Sequence, residues 1–209
     1  MEEVRIEQQP TTDIAAVEPQ SVAPSAINYL DSNAMNKAYK TASILSRSDL
    51  MPEAYKGKPE NVLIAMDIAS RMGCSLSLVA QNLYIVKGKP AWSGQFCIAA
   101  VNGCGRFTPL KFVDVEEGGG GCYAMATRLV DGEVCCSPAI TMQLAKDEGW
   151  LDKAGSKWKT DLRYQMMRYR AAAFFARTFC PEVLLGLQTV EEVKDVKGDE
   201  PEKVTIKLS

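Results

Sequence analysis

The stretch 158–179, WKTDLRYQMMRYRAAAFFARTF, constrains this chain most. It contains neither Gly nor Pro, follows Asp152, Gly155 and Ser156, and stops just before Cys180-Pro181, so it predicts one helix of several turns. At about 100° per residue, positions seven apart return almost to the same face, and Arg163, Arg170 and Arg177 form a stripe. Met166, Met167, Ala173 and Phe174 share that side, while Leu162, Tyr169, Ala172, Ala176 and Phe179 spread around the rest. Arg168 stands off the stripe, Lys157 and Lys159 extend the charge at the helix start, and Asp161 is the single acid in the stretch.

Two readings of this helix compete. In one it is a core helix whose arginines reach solvent or pair with carboxylates. In the other the stripe is an anion track that meets phosphates along a nucleic-acid backbone, with Tyr164 and Tyr169 available for stacking. Periodicity alone does not choose between them.

The formal net charge is −2 and the sequence pI about 5.4, which argues against coating duplex DNA through bulk charge but leaves room for a localised basic groove. With 46% hydrophobic residues in 209, the chain holds enough apolar material for one sizeable core. No apolar run approaches a membrane span and no signal-peptide pattern opens the chain, so a soluble, intracellular protein is expected. The seven cysteines include no C-x-x-C, and there is no histidine. That combination argues for free thiols in a reducing compartment rather than structural zinc. It also removes the Ser-His and Cys-His nucleophile pairs.

Along the chain, residues 1–32 are rich in Glu, Gln, Pro, Thr and Ala and are expected to form a disordered tail. A helix over 33–46 follows with Asn33 as cap, then a second over 59–72, opened by Pro59 and closed by Gly73. A short helix at 77–81 leads into a hairpin, 83–87 and 89–92, turning at Gly88. Helix 94–102 comes next, then strands 107–115, 122–130 and 133–137, with glycines 118–121 at one turn and Asp131-Gly132 at the other. A helix over 138–147, capped by Ser137, precedes the basic helix, and 190–193 forms a last turn of helix. The charged segment 194–209 has little to pack and reads as a tail. The order of elements predicts an α+β fold: one domain, 33–193, of small antiparallel sheet and hairpins packed with helices.

Other candidate sites are weaker. The glycine run 118–121 lacks the Lys-Ser/Thr and following helix of a phosphate loop and reads as a hairpin tip. Asp114, Glu116 and Glu117, or Glu191-Glu192, are carboxylate clusters of the kind that hold magnesium, and Glu192-Val193-Lys194 fits the bare E-x-K fragment of some nucleases; no partner acid on a preceding strand accompanies it. Lys87, Lys89 and Lys58 sit on turns beside Tyr84, Trp92 and Tyr55, either as solvated turn lysines or as guides for a nucleic-acid strand.

Several stretches in order resemble the RecT-type phage single-strand annealing recombinases, within the RecT/Red-beta group. They are Tyr55-Lys56-Gly57-Lys58-Pro59-Glu60, Arg71-Met72-Gly73, Leu83-Tyr84-Ile85-Val86-Lys87-Gly88-Lys89-Pro90 and the segment 103–107. Trp158, Tyr164, Met167-Arg168-Tyr169-Arg170-Ala171 and Arg177, followed by Pro181, Gly186 and Glu191-Glu192, complete the pattern, which spans 48–193. Better-known members are longer and carry Lys-Thr where Arg170-Ala171 stand, so the chain resembles a short, divergent branch. The resemblance implies a protein, not an enzyme, that binds single-stranded DNA and anneals complementary strands without ATP or other cofactor. It implies assembly into a ring or helical filament in the cytoplasm of a bacterial host, with a phage exonuclease and the host single-strand-binding protein as partners. Arg163, Arg170 and Arg177, with Arg168, Lys87, Lys89 and Lys159, become DNA-binding candidates. Tyr84, Trp92 and Tyr164 become stacking candidates, and Trp158 leans to packing. On this reading Arg170→Ala or Arg177→Ala weakens binding and flattens its salt dependence with the fold intact. A regulatory protein using the same surface for a protein partner is the alternative, and a metal-dependent nuclease a more distant one.

Overall fold

Local signals place most helix ends. In the computed structural model, which describes residues 27–195 except residue 154, helix α1 (Ser32–Leu45) is capped by Asp31. Its carboxylate accepts from the Asn33 and Ala34 N–H groups at 2.8 and 3.2 Å. The cap is thus not Asn33 but a charged residue before it, which satisfies two orphan donors at the positive end of the helix. Pro59 opens α2 (Pro59–Met72), and Gly73 closes it in the left-handed region at φ 62°. Ser75 caps α3 (Leu76–Asn82), and Ser93 caps α4 (Gly94–Gly103). Residues 1–26 and 196–209, most of the two expected tails, lie outside the described residues.

The fold is α+β, with two small sheets. β1 (Leu83–Val86) and β2 (Lys89–Trp92) form the expected hairpin through Lys87 and Gly88, both at positive φ (49° and 74°), as a tight two-residue hairpin turn requires. β2 also pairs in parallel with β7 (Gln188–Thr189), a two-residue strand that no local pattern announces. In the second sheet β4 (Gly121–Thr127) is central. β3 (Lys111–Val115) lines one edge, and β5 (Val134–Cys136) and β6 (Ile140–Thr141) share the other. A Cβ on Gly121 would stand 2.3 Å from the Ile140 carbonyl oxygen, so glycine is what lets β6 approach.

The helix expected over 138–147 is shorter. Ile140 is fully buried as a strand partner of Cys122, and α5 (Met142–Asp147) begins only at Met142, with Thr141 as its cap. Ser137 instead satisfies the sheet edge, accepting from the Ala124 N–H at 2.9 Å.

The basic helix also starts late. Lys157–Lys159 is a 3-10 turn, Thr160 is extended, and α6 runs Arg163–Phe179. The Thr160 hydroxyl donates to the Lys157 carbonyl at 2.8 Å and accepts from the Leu162 N–H at 3.2 Å, a local alternative to helix. Trp158 is buried with its ring 5.1 Å from that of Trp150, which anchors the turn. Downstream, α6 buries Met167, Ala171, Ala172, Ala173, Phe175 and Ala176 and packs against β4 and α4. The facing strand presents small residues, Ala124 and Ala126, so helix and sheet come close.

On its other side α6 meets α4 at Gly94, where a Cβ would lie 2.6 Å from the Tyr169 Cβ. Gly94→Ala improves helix propensity, yet it is expected to destabilise the protein by about 1–3 kcal/mol through overpacking. Urea unfolding checks this: a midpoint equal to wild type would show that the two helices are not locked at this contact.

The chain then crosses a 3-10 turn, Pro181–Leu184, and ends its described part in α7 (Val190–Asp195). Thr189 and Glu192 form a capping box: Glu192 Oε2 accepts from the Thr189 N–H at 2.7 Å, and the Thr189 hydroxyl oxygen accepts from the Glu192 N–H at 3.3 Å. The ordered helix therefore passes 193 and includes Lys194 and Asp195, which the sequence assigned to a tail.

Candidate nucleic-acid interface

The three stripe arginines share α6 and a seven-residue spacing, but they do not share an environment. Arg170 is buried, with 4% of its side chain exposed; its guanidinium lies 4.3 Å over the Trp150 ring and pairs with Asp195. Lys153 pairs with the same carboxylate. Arg177 is 40% exposed and stands 3.0 Å from Glu192 Oε1, an ion pair without hydrogen-bond alignment. Glu192 and Asp195 lie three residues apart on α7 and reach arginines seven apart on α6, about 4.5 Å and 10.5 Å along the respective axes. Arginine length closes that difference.

The stripe is thus a docking face for the acidic helix α7. Arg170 and Arg177, expected to meet phosphate, meet intramolecular carboxylates, and removing Arg170 with an intact fold is no longer the expectation. Sequence reading found the arginines and missed their partners. The signal was present in Thr189-Val190-Glu191-Glu192, a capping-box pattern that places Glu192 and Asp195 one turn apart.

Arg163, at the other end of the stripe, escapes α7. Its Nη2 lies 3.3 Å from the Tyr164 hydroxyl and its guanidinium 4.9 Å over the Tyr164 ring. Tyr164 is 56% exposed, and Arg168, four residues on and so on the same face, is exposed too. Lys159 is exposed on the preceding turn. None of Lys159, Arg163 and Arg168 belongs to an ion pair among the described residues.

The hairpin splits its candidates. Tyr84 is 51% exposed, and Lys87 and Lys89 are exposed at and beside the turn. Trp92 is a correction: it is fully buried, stacked on Phe96 with centroids 4.1 Å apart, and its Nε1–H donates to the Leu184 carbonyl at 3.1 Å. It sits where β2 pairs with β7, facing the core. Helix α7 packs against β1 and β2 while its carboxylates hold α6, so it touches both basic elements.

The remaining candidates are structural. Gly118 is in a 3-10 turn at φ 62°, and a Cβ there would be 2.9 Å from the Thr141 hydroxyl, so the glycine run makes a tight turn against the start of α5. Among the described residues no three His, Cys, Asp or Glu side chains gather as a metal site. The cysteines are free thiols, and burial pushes Cys97 up to about 12 and Cys122 and Cys180 up to about 11, so these stay protonated near neutrality. No single helix among the described residues is long and apolar enough to cross a membrane. No family model, no curated protein and no solved structure matches this chain.

Proposed function

We propose that the protein binds single-stranded DNA and anneals complementary strands without ATP. The observation that carries this is the surface group of exposed Lys159, Tyr164 and Arg168 with half-buried Arg163, whose cations form no ion pair among the described residues in a chain of net charge −2. Cations beside an exposed aromatic ring suit a strand whose phosphates and base faces are both accessible. The exposed Tyr84, Lys87 and Lys89 on the hairpin offer a second contact. Neutralising one backbone lowers the repulsion felt by a second strand, and subunits side by side in a ring or filament join short clusters into a track. The resemblance of the sequence to RecT-type proteins supports the same reading, including the exonuclease and single-strand-binding partners.

The test is annealing of two labelled complementary oligonucleotides without ATP, with binding anisotropy across a salt series. Acceleration that fades with salt is expected. Lys159→Ala/Arg163→Ala is expected to reduce the slope of log K against log salt by about 1.4, at roughly 0.7 per lost single-strand phosphate contact. Tyr164→Ala should weaken binding by about 1–3 kcal/mol. Unchanged affinity and slope in all of these, with wild-type melting, would remove the cluster from the interface. No strand binding even at low salt would shift the reading to a protein partner on this surface, and magnesium-dependent shortening of the oligonucleotides to a nuclease.

A further inference from the structure

Strand alternation sorts the second sheet into two faces. Cys122, Ala124 and Ala126 of β4 point to α6 and the core, with Phe112 on β3 and Cys135 on β5 beside them in register. The residues between them point the other way: Val113 and Val115 on β3, Tyr123 and Met125 on β4, Val134 and Cys136 on β5. On that face Val113 stands opposite Tyr123, and Met125 opposite Cys136. Among the described residues, none of the six belongs to the core or packs against it, and Val134 and Cys136 are exposed.

An antiparallel sheet with one solvated face reads apolar inward and polar outward. This sheet is apolar on both sides, the pattern of a sheet covered on both sides. Cysteine is among the most buried residue types, so an open Cys136 is a second sign that the face has a cover. Charge decides the chemistry of that cover. Lys111 is the one charged residue on the face, while Glu116 and Glu117 lie at one end and Asp131 and Glu133 at the other. Arg128 answers only the second pair. A nucleic-acid backbone would meet these carboxylates, so the cover is protein.

We infer that this face packs on the same face of a second copy of the chain. An apolar sheet is its own complement: two of them stack about 10 Å apart, and a two-fold axis closes the contact at two copies. Area fits this occupant. Three strands about 4.8 Å apart and up to five residues long, at about 3.3 Å each, give a footprint of roughly 15 by 17 Å. A lone extended segment, one strand wide, would leave most of that width open. Side chains standing on the footprint, with exposed Leu129 and Val130 at the turn before β5, bring a pair of copies to about 1,000 Å², the least that a specific interface needs. The contact lies apart from the strand-binding cluster and does not rest on that reading.

The test is sedimentation of the full chain, without DNA, over a concentration series. Wild type is expected to pass from monomer to dimer in the micromolar range, as suits a small interface. Met125→Glu should weaken association roughly a hundredfold, because each copy would bury an unpaired carboxylate. Melting of the dilute variant should match wild type, since Met125 packs on nothing in its own core. Maleimide labelling of Cys136, located by peptide mapping, should slow as wild type associates and stay fast in Met125→Glu. Wild type that is monomeric at every concentration, or a variant profile equal to wild type, overturns the inference. A dilute variant that melts well below wild type also overturns it and gives the face to another part of the same chain. Loss of single-strand binding at unchanged size overturns it too, and gives the face to the strand. Association without any strand binding keeps the interface and removes the annealing reading.

Discussion

Arg170→Ala is expected to destabilise the fold by about 3–5 kcal/mol, a fall in melting temperature of roughly 10 °C for a chain this size. The side chain is buried between Trp150 and Asp195, so alanine removes three things at once. It deletes the more deeply buried of the two cations that neutralise Asp195, the stacking on Trp150, and the volume that fills the space between α6 and α7. Breaking one partner of such a pair costs more than removing both, because the remaining charge stays desolvated. Arg170→Met combined with Asp195→Leu should therefore recover part of the loss, and the double-mutant cycle measures the coupling. Thermal melting and urea unfolding report it. If Arg170→Ala melts with wild type, α7 is not held by this pair and the stripe is open to solvent. Well below the lowered melting point, single-strand binding should persist, because Arg170 has no exposed face to offer a phosphate.

Trp92→Ala should cost about 3–5 kcal/mol, the range for emptying a buried aromatic site. Trp92 stacks on Phe96 and ties β2 to the 3-10 turn after α6 through the Leu184 carbonyl, a contact bridging distant parts of the chain. Alanine leaves a cavity and also an unsatisfied buried acceptor. Trp92→Phe keeps most of the ring and loses the bond, so about 1–2 kcal/mol is expected for it. Urea midpoints with an unchanged m-value would establish both. Had Trp92 been a platform for bases, the pattern would invert, with weaker strand binding at wild-type stability. That inverted result is the one that would sink the buried assignment.

Much of the fold is legible in the chain because its signals act over a few residues. Pro59 and Gly73 bound α2, Lys87-Gly88 makes the first hairpin turn, and Asp131-Gly132 sits in the turn before β5, with Gly132 at φ 76°. The alternation of Ala124 and Ala126 with their neighbours marks the buried face of β4. Where local signals compete, sequence reading slips. Pro138 to Asp147 has helical spacing, yet Ile140 gains more as a fully buried strand partner, and Thr160 bends the chain that helical periodicity would continue.

The candidate site divides along the same line. The sequence by itself determined that α6 carries arginines seven apart, with Lys159 and Tyr164 at its start, because helical geometry makes a spacing of seven one face. It could not decide which arginine is a contact, since Arg163, Arg170 and Arg177 are chemically alike and equally spaced. Only the tertiary structure decided that. β7 and α7 come back from beyond the helix, and two carboxylates land on two of the three guanidinium groups. Arg163 keeps its charge exposed because α7 ion-pairs with the later part of the stripe. Burial of a charge depends on what packs over it, and that is set by contacts far apart in the chain rather than by neighbours along it.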